Sequence, residues 1–167
     1  MDFAMLLASF LLWSEGFIAT FGYLGVFVVS LVSAASIFIP VPGFIFILAA
    51  ATFLNPFLVA IVAGAGMAIG EMTGYAIGGG SSYILKKGDY KWLKMGEKWF
   101  KKDRGFFIIL IFAATPLPDD ITGILGGMFK YDWRRFLLAA FIGKTLLNLA
   151  LALAAFYGFN ALVVPNL

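Results

Sequence analysis

Residues Gly105–Phe129 read GFFIILIFAATPLPDDITGILGGMF, and this stretch decides how the chain meets a membrane. Two prolines and two adjacent aspartates, Pro116-Leu117-Pro118-Asp119-Asp120, separate its apolar flanks. Each flank has about ten residues, roughly half of what a spanning helix needs. Proline breaks a helix, and adjacent carboxylates are unfavourable in hydrocarbon. The stretch therefore predicts a re-entrant hairpin whose tip is buried in protein or lines a wet cavity, which makes the tip the leading candidate site.

The composition predicts an integral membrane protein. The 167 residues are 62% hydrophobic and 13% charged, with a mean hydropathy of +0.98. Soluble domains have about 25% charged residues, so this chain needs lipid as its solvent. We expect a single membrane domain over residues 1–167. The start, Met1-Asp2-Phe3, lacks the basic region of a cleavable signal peptide, so the first helix is expected to remain.

Missing residue types exclude several kinds of chemistry. The chain has no cysteine and no histidine, so disulfides, thiolate sites and histidine-based sites are excluded. Neither a Gly-x-Ser-x-Gly motif nor a P-loop occurs. We therefore expect no catalytic residues, no cofactor and no metal, and a protein that is not an enzyme. Any proton relay must use carboxylates.

The basic residues are concentrated in one connector. Eight of the twelve lie in Lys86–Arg104, and Trp92, Met95, Trp99 and Phe100 recur among them at helical spacing. This pattern is typical of an amphipathic helix on an anionic membrane surface, and it favours lipid over nucleic acid as the partner. Three further basic residues are expected to contact lipid headgroups: Lys130, Arg134 and Arg135.

The chain divides into four segments. We predict an N-terminal helix over 1–23, a first repeat over 24–80, the amphipathic basic connector over 81–104 and a second repeat over 105–167. Glu15-Gly16 is interpreted as a bend or an interfacial position in the first helix. Spanning helices are predicted over Phe57–Gly80 and from Phe136 to about Val164.

Two pairs of segments indicate a duplication. Pro40-Val41-Pro42, followed by Gly43, has the pattern of Pro116-Leu117-Pro118. Phe57-Leu58-Val59-Ala60 with Gly64 likewise matches Phe136-Leu137-Leu138-Ala139 with Gly143. Such duplications in transporters often have inverted topology. The fold class is therefore an all-α membrane protein with an inverted repeat of two re-entrant hairpins, each followed by a transmembrane helix, plus the surface helix.

Charge sets the expected orientation. A re-entrant second hairpin returns Lys130, Arg134 and Arg135 to the side of the basic connector. The positive-inside rule then predicts a multi-pass cell-membrane protein with residues 86–104 in the cytoplasm. Asn55-Pro56 is expected on the outside.

The first predicted span carries one acid, Glu71, near its middle. Gly66, Gly70, Gly74 and Gly78 form a stripe that allows a second helix to approach closely. Tyr75 lies one turn beyond Glu71 on the same face. Glu71 is interpreted as a functional carboxylate for transport or proton coupling, because an intramembrane acid is unfavourable to keep. A neutral glutamate that only fixes helix packing is the alternative.

The last span carries Lys144 and Asn148, four residues apart and on one face. Lys144 either extends to the membrane surface or pairs with Asp119 or Asp120, and the pairing is favoured because adjacent aspartates need a cation. Carboxylates beside one lysine suit proton-linked switching. Substrate-pocket candidates are Tyr75, Thr115 and Asn148.

The sequence resembles the DedA family, also called the VTT or SNARE-associated family. The matching pieces are Gly22-Tyr23-Leu24-Gly25, Pro40-Val41-Pro42, Gly70–Gly78, Pro116, Gly127, Phe136 and Gly143. The resemblance implies two opposed re-entrant hairpins and lipid movement between leaflets, since members include polyprenyl-phosphate flippases and phospholipid scramblases. It also marks Glu71, Pro40 and Pro116 as family sites.

Departures from the family pattern concern charge. Ser33, Ala34 and Phe44 stand where many bacterial members carry an acid, and Ala113 and Asp119 stand where two arginines are usual. Lys144 is expected to supply the missing positive charge.

The predicted function is that of a flippase-like or scramblase-like lipid transporter. Its expected partners are protons and anionic membrane lipids such as a polyprenyl-phosphate, and a homo-oligomer is compatible with the sequence. The alternatives are a proton-coupled exporter of small cationic compounds and a membrane scaffold.

Overall fold

The computed structural model describes residues 3–36, 43–85, 96, 98–100, 102–116 and 120–163. Its elements are all α-helices within these ranges. In chain order they are α1 (Phe3–Ala35), α2 (Gly43–Phe53), α3 (Pro56–Gly70), α4 (Met72–Leu85), α5 (Lys102–Ala113), α6 (Asp120–Met128) and α7 (Trp133–Val163). The prediction of an all-α membrane protein is confirmed.

Three stretches of the described chain are long and apolar enough to cross a membrane: Leu12–Ala35, Pro56–Ser81 and Trp133–Gly158. The last two correspond to the two predicted spanning helices. The helices between the second and third stretch are shorter, with 12 residues in α5 and 9 in α6. At about 1.5 Å per residue, neither α5 nor α6 reaches across roughly 30 Å of hydrocarbon.

The break in α1 lies at Gly22, which has φ 52° and ψ −132°. This region of backbone conformation favours glycine because a side chain would be strained there. The interpretation of Glu15-Gly16 as a bend is wrong, because both residues lie inside continuous helix. The residues on both sides of Glu15-Gly16 are mostly apolar and favour a continuous helix. Gly16 accordingly has helical backbone angles.

The second part of α1 and α2 form the first hairpin (residues 23–53). Its two ends meet, because the hydroxyl of Tyr23 accepts a hydrogen bond from the backbone N–H of Asn55 at 3.2 Å. Near the tip, Gly43 lies against Ser33, and a Cβ on Gly43 would come within 2.8 Å of the Ser33 Cβ. The arms are therefore closely packed at the tip and tied together at the base.

Helix α3 starts at a proline and continues through an acid. The Asn55 side chain caps it by accepting from the N–H groups of Phe57 at 3.0 Å and Leu58 at 3.3 Å, and Pro56 fits the first turn. Glu71 stands between α3 and α4 with near-helical angles, φ −63° and ψ −17°. Its N–H donates to Met67 O and its carbonyl accepts from Tyr75 N, so α3 and α4 act as one span.

Helices α5 and α6 form the second hairpin (residues 102–128), and its ends also meet. A Cβ on Gly105 would lie 2.7 Å from the ring of Tyr131, and Arg135 pairs with Asp103 at 3.3 Å. Helix α6 ends in a reversed turn in which Lys130 N–H donates to Gly127 O and Tyr131 N–H donates to Gly126 O. Lys130 has φ 54° there, the left-handed conformation that ends many helices.

Each hairpin contacts the spanning helices of both halves. Within each half, the first arm contacts the spanning helix of its own half: α1 contacts α3, and α5 contacts α7. The second arm contacts the span of the other half: α2 contacts α7, and α6 contacts α4. The duplication seen in the sequence is thus also present in the packing.

The two spans run antiparallel. Glu71 faces Lys144, and one turn away Met67 faces Asn148. Further along, Val59 and Ala63 share a buried cluster with Ala152. Residues of decreasing number on α3 therefore contact residues of increasing number on α7. This antiparallel arrangement is the one that an inverted repeat requires.

The glycine stripe serves two different neighbours. Gly66 and Gly70 face α1, where a Cβ would lie 2.5 Å from the carbonyl oxygens of Phe27 and Leu31. Gly78 faces α6, and a Cβ there would meet the backbone of Ile124. Four residues exceed one turn of about 3.6, so a four-residue stripe drifts round the helix and reaches both neighbours.

Some predictions lie outside the described residues. They concern most of the basic connector, including Trp92 and Met95, and the hairpin-tip residues Pro40, Pro42, Pro118 and Asp119. Of the predicted connector, residues up to Leu85 lie in α4 and residues from Lys102 lie in α5.

Candidate functional site

An ion pair lies in the interior, where the two spans face each other. Lys144 Nζ is 2.9 Å from Glu71 Oε1, and the side chains are 7% and 2% exposed. Lys144 therefore does not extend to the membrane surface, and that alternative is wrong. On the described chain Lys144 pairs with Glu71, a contact that the sequence does not predict. Whether Asp119 or Asp120 also approaches Lys144 lies outside the described side chains.

One helical turn from the ion pair, a buried amide and a methionine sulfur lie between the same two spans. Asn148 is fully buried, and its amide nitrogen donates to Met67 Sδ at 3.4 Å. The Asn148 Oδ1 atom has no hydrogen-bond partner among the described residues. Such an oxygen is unfavourable in an apolar interior, so Asn148 adds an unused acceptor next to the ion pair.

The first hairpin approaches the pair from one side near its tip. Ala35, the last residue of α1, accepts a hydrogen bond from the hydroxyl of Thr73 at 3.3 Å. A Cβ on Gly70 would lie 2.8 Å from Ala34 Cβ. Both Gly70 and Thr73 are within two residues of Glu71, so the first hairpin ends beside the acid.

The second hairpin approaches from the other side. A Cβ on Gly143, the residue before Lys144, would lie 2.7 Å from Ala113 Cβ at the end of α5. On α6, a Cβ on Gly123 would lie 3.3 Å from the backbone oxygen of Glu71. The pair therefore occupies the region where the inner ends of both hairpins and both spans converge.

This arrangement is suited to charge exchange rather than to stability. Buried ion pairs often contribute little net stability, because both charges lose their hydration. Removing one partner, in contrast, leaves an uncompensated charge and is strongly destabilising. A carboxylate and an ammonium in contact can exchange partners when a proton or an anion arrives.

Two of the predicted substrate-pocket residues, Tyr75 and Thr115, use their hydroxyl groups for hydrogen bonds to the backbone. Tyr75 donates its hydroxyl to the backbone oxygen of Tyr131, and its ring packs against Phe136 with centroids 5.2 Å apart. Thr115 donates to the carbonyls of Ile111 and Phe112 at 3.1 and 3.0 Å, inside its own helix end. Tyr75 thus ties α4 to the turn before α7, while Thr115 closes the end of α5.

The remaining tip residues are only partly described. Gly43 begins α2, Pro116 is exposed after α5, and Asp120 begins α6. Acids at a helix N-terminus are favoured by the helix dipole, which fits the position of Asp120. Asp120 therefore stays a transport candidate by position alone.

The three predicted headgroup residues differ in environment. Lys130 is exposed in the left-handed turn, and Arg135 is engaged by Asp103. Arg134 lies with its guanidinium carbon 5.4 Å from the ring centre of Trp133. Of the two arginines, Arg134 is therefore the one without an acidic partner on the described chain.

Sequence reasoning found Glu71, Lys144 and Asn148 but missed how they meet. A signal was present: Met67 and Glu71 are four residues apart, as are Lys144 and Asn148. If the two spans are antiparallel, such pairs face each other in register. Met67 on its own looked like ordinary apolar sequence, and only its spacing from Glu71 set it apart.

Comparison with known proteins agrees with this architecture. The family described as the VTT domain matches residues 41–157, more than half of the chain. An uncharacterized protein of Methanocaldococcus jannaschii is 28% identical over 130 residues, which cover 76% of this chain and 79% of that protein. No solved structure matches. With its repeated hairpins and paired spans, the chain belongs to the VTT domain family, also known as the DedA family.

Proposed function

We propose that this membrane protein moves lipids with an anionic phosphate headgroup between leaflets, as a flippase or scramblase does. The observation that carries the proposal is the buried Glu71–Lys144 contact of 2.9 Å at the point where both hairpins converge. Intramembrane charges are unfavourable and usually mark a transport path. The substrate class includes phospholipids and polyprenyl-phosphates, which share this headgroup chemistry.

The pair supplies a mechanism in which a proton and a phosphate compete. While Glu71 is ionised, it holds the Lys144 ammonium. When Glu71 takes up a proton, its charge is lost and the ammonium is released to bind the phosphate of a lipid. When the proton leaves, the carboxylate recaptures the ammonium and displaces the headgroup. Transport of an anionic headgroup is thereby linked to protonation.

The hairpins give the headgroup a path. We place both of them in the membrane as re-entrant segments. In the second hairpin, α5 and α6 have 12 and 9 residues and their outer ends meet. In the first, α2 has 11 residues and the outer ends meet through the Asn55 bond to Tyr23. Their inner ends then lie at membrane depth beside the pair. Re-entrant hairpins line cavities that admit water and polar groups, and half-helices at such depth are a recurrent design of transporters.

The location proposed from charge is the cell membrane, with the basic connector on the cytoplasmic side. In this orientation Lys130, Arg134 and Arg135 share that side, where anionic lipids are abundant. The cytoplasmic base of the second hairpin is then next to the substrate pool.

The cation exporter is the second candidate and is favoured less. A cation site needs a carboxylate that is available to the cation, whereas Lys144 already compensates Glu71 at 2.9 Å. A scaffold or an enzyme needs no charged pair between two spans, so neither explains the site. The protein is accordingly proposed to be a transporter that is not an enzyme.

The test is lipid exchange in liposomes. The purified protein is reconstituted with fluorescent anionic lipid, and leaflet exchange is measured with and without a pH gradient. We expect faster exchange than in empty liposomes, and Glu71→Gln should remove the dependence on pH. Asp120→Asn should slow exchange if Asp120 takes part. Exchange equal to that of empty liposomes under both conditions would refute lipid transport.

A further inference from the structure

An open groove lies on the outer surface between α3 and α7. Its volume is about 510 Å³, within the range of roughly 300–1,000 Å³ for ligand sites. Apolar side chains line it, including Ala65 and Ile69 on α3 and Leu138 and Phe141 on α7. Trp133 and Arg134 close one end. The groove is thus apolar along its length and cationic at one end.

The cationic end lies at the membrane boundary. Trp133 is the first residue of the last spanning stretch, and tryptophans are enriched at membrane interfaces. Arg134 is exposed, stacks on Trp133 and makes no ion pair within the part of the chain that the structure describes. Its neighbour Arg135, in contrast, contacts Asp103 at 3.3 Å. Arg134 therefore offers its guanidinium to an external anion.

From this geometry we infer a binding site for one anionic phospholipid, with an acyl chain in the groove and the phosphate on Arg134. From Arg134 to Phe141 the groove follows α7 for about 10 Å, at roughly 1.5 Å per residue. This fits the upper part of an acyl chain within one leaflet of about 15 Å. A planar guanidinium binds a phosphate through two parallel hydrogen bonds, and the adjacent indole ring restrains it.

The inner end of the groove is close to the ion pair. Ala68, which also lines the groove, is one turn from Glu71, and Phe141 is one turn from Lys144. The bound lipid is therefore positioned to load the transport site. That loading role rests on the proposed function, whereas lipid binding in the groove does not.

The experiment is native mass spectrometry of the full chain released from detergent. The protein is titrated with phosphatidylglycerol and with phosphatidylcholine that carries the same acyl chains, and the retained lipid is counted. One basic residue near a membrane surface favours anionic lipid about fivefold. We expect a wild-type preference of about this size, and Arg134→Gln should bring the ratio close to one.

Two matched controls separate the site from general charge and surface effects. Arg104→Gln removes the same charge from the exposed first turn of α5 and should keep the preference. Ala65→Phe fills the groove and should reduce retention of both lipids, whereas Leu58→Phe on the exposed surface of α3 should not. Equal losses in the Arg104 and Arg134 variants, or full retention in Ala65→Phe, would overturn the site.

The same variants distinguish this inference from the proposed function. If wild-type protein shows no leaflet exchange but binds anionic lipid through Arg134, the groove site stands and lipid transport fails. If exchange occurs and Arg134→Gln keeps the anionic preference, lipid transport stands and the groove site fails. Soluble glycerol 3-phosphate should not displace the lipid, because it lacks the chain; displacement would reveal a phosphate site without a lipid groove.

Discussion

The two halves of the molecule have the same scaffold and different polar residues. In each half a short hairpin precedes a long span, its first arm packs on that span, and its second arm packs on the span of the other half. The span of the first half carries the acid Glu71, while the span of the second carries Lys144 and Asn148. Duplication thus explains the architecture, and the divergence of a few positions explains the site.

Packing differs between the halves as well. The cluster around the first hairpin is mainly aliphatic and includes Val26, Ile47 and Val59, all fully buried. Around the second hairpin, aromatic rings from Phe100, Tyr131 and Phe136 join the cluster. Tyr75 of the first half donates its hydroxyl to the backbone of Tyr131 in the second, so this bond joins the two halves.

The largest effect is expected when one charge is removed from one half. Glu71→Met or Lys144→Met alone leaves a buried charge without its partner, and each should lower the free energy of unfolding by about 3–5 kcal/mol. Replacing both should restore most of this loss, because no buried charge remains. Reversible unfolding in mixed micelles measures the three variants. Additive losses in the double variant would show that the two residues do not interact.

The next largest loss of stability is expected where two helices are in close contact. Both glycines lie on the first span, where Gly70 faces α1 of its own half and Gly78 faces α6 of the other half, so Gly70→Ala and Gly78→Ala each place a Cβ against backbone atoms of the neighbouring helix. Each should destabilise by roughly 1–3 kcal/mol through overpacking. Gly80→Ala is the matched control, since nothing lies within 4 Å of its Cβ position, and it should be neutral or stabilising. A loss in Gly80→Ala equal to that in Gly78→Ala would contradict close packing at Gly78.

A smaller effect is expected at Asn148, which belongs to the second half only. Asn148→Leu removes an amide oxygen that has no partner among the described residues, so stability should rise by about 1 kcal/mol. Lipid exchange should fall at the same time if the amide serves the headgroup. Thermal unfolding and liposome exchange are measured on the same preparation. Lower stability would show that the Asn148 contact with Met67 matters more than the unused oxygen.

The smallest effect is expected at the base of the second hairpin. Asp103 and Arg135 pair at 3.3 Å, but their side chains are 84% and 52% exposed. Surface pairs contribute at most about 1 kcal/mol and are weakened by salt. Asp103→Asn should therefore change the unfolding midpoint only slightly, and less at high salt. A large, salt-independent change would indicate a role beyond this pair.

Much of the fold was readable from the sequence because lipid imposes simple constraints. Apolar length predicted the spans at Phe57–Gly80 and Phe136–Val164, and the proline pattern predicted two hairpins. The kink at Gly22 was not predicted, although it lies next to the predicted segment boundary between residues 23 and 24. The interpretation of Glu15-Gly16 as a bend was wrong, because an isolated glutamate in apolar sequence resembles a boundary. Re-entry of the hairpins stays a prediction.

The site was predicted by its residues but not by its contacts. Glu71 and Lys144 were recognised separately, since each is unfavourable in lipid. Their pairing depends on the register between two antiparallel helices, which the four-residue spacings indicate only once the antiparallel arrangement is known. The groove at Arg134 was equally hidden, because it arises where Ala65 and Ala68 on one helix lie beside Leu137 and Phe141 on the other.

The most direct test of the central claim is lipid exchange by the variant that carries both Glu71→Met and Lys144→Met. This variant keeps side chains of similar length and should remain folded, which circular dichroism and gel filtration check. If the ion pair is the transport site, exchange of fluorescent anionic lipid in liposomes should fall to the level of empty vesicles, with or without a pH gradient. Exchange at the wild-type rate by the folded variant would contradict the account and leave the pair with a structural role only.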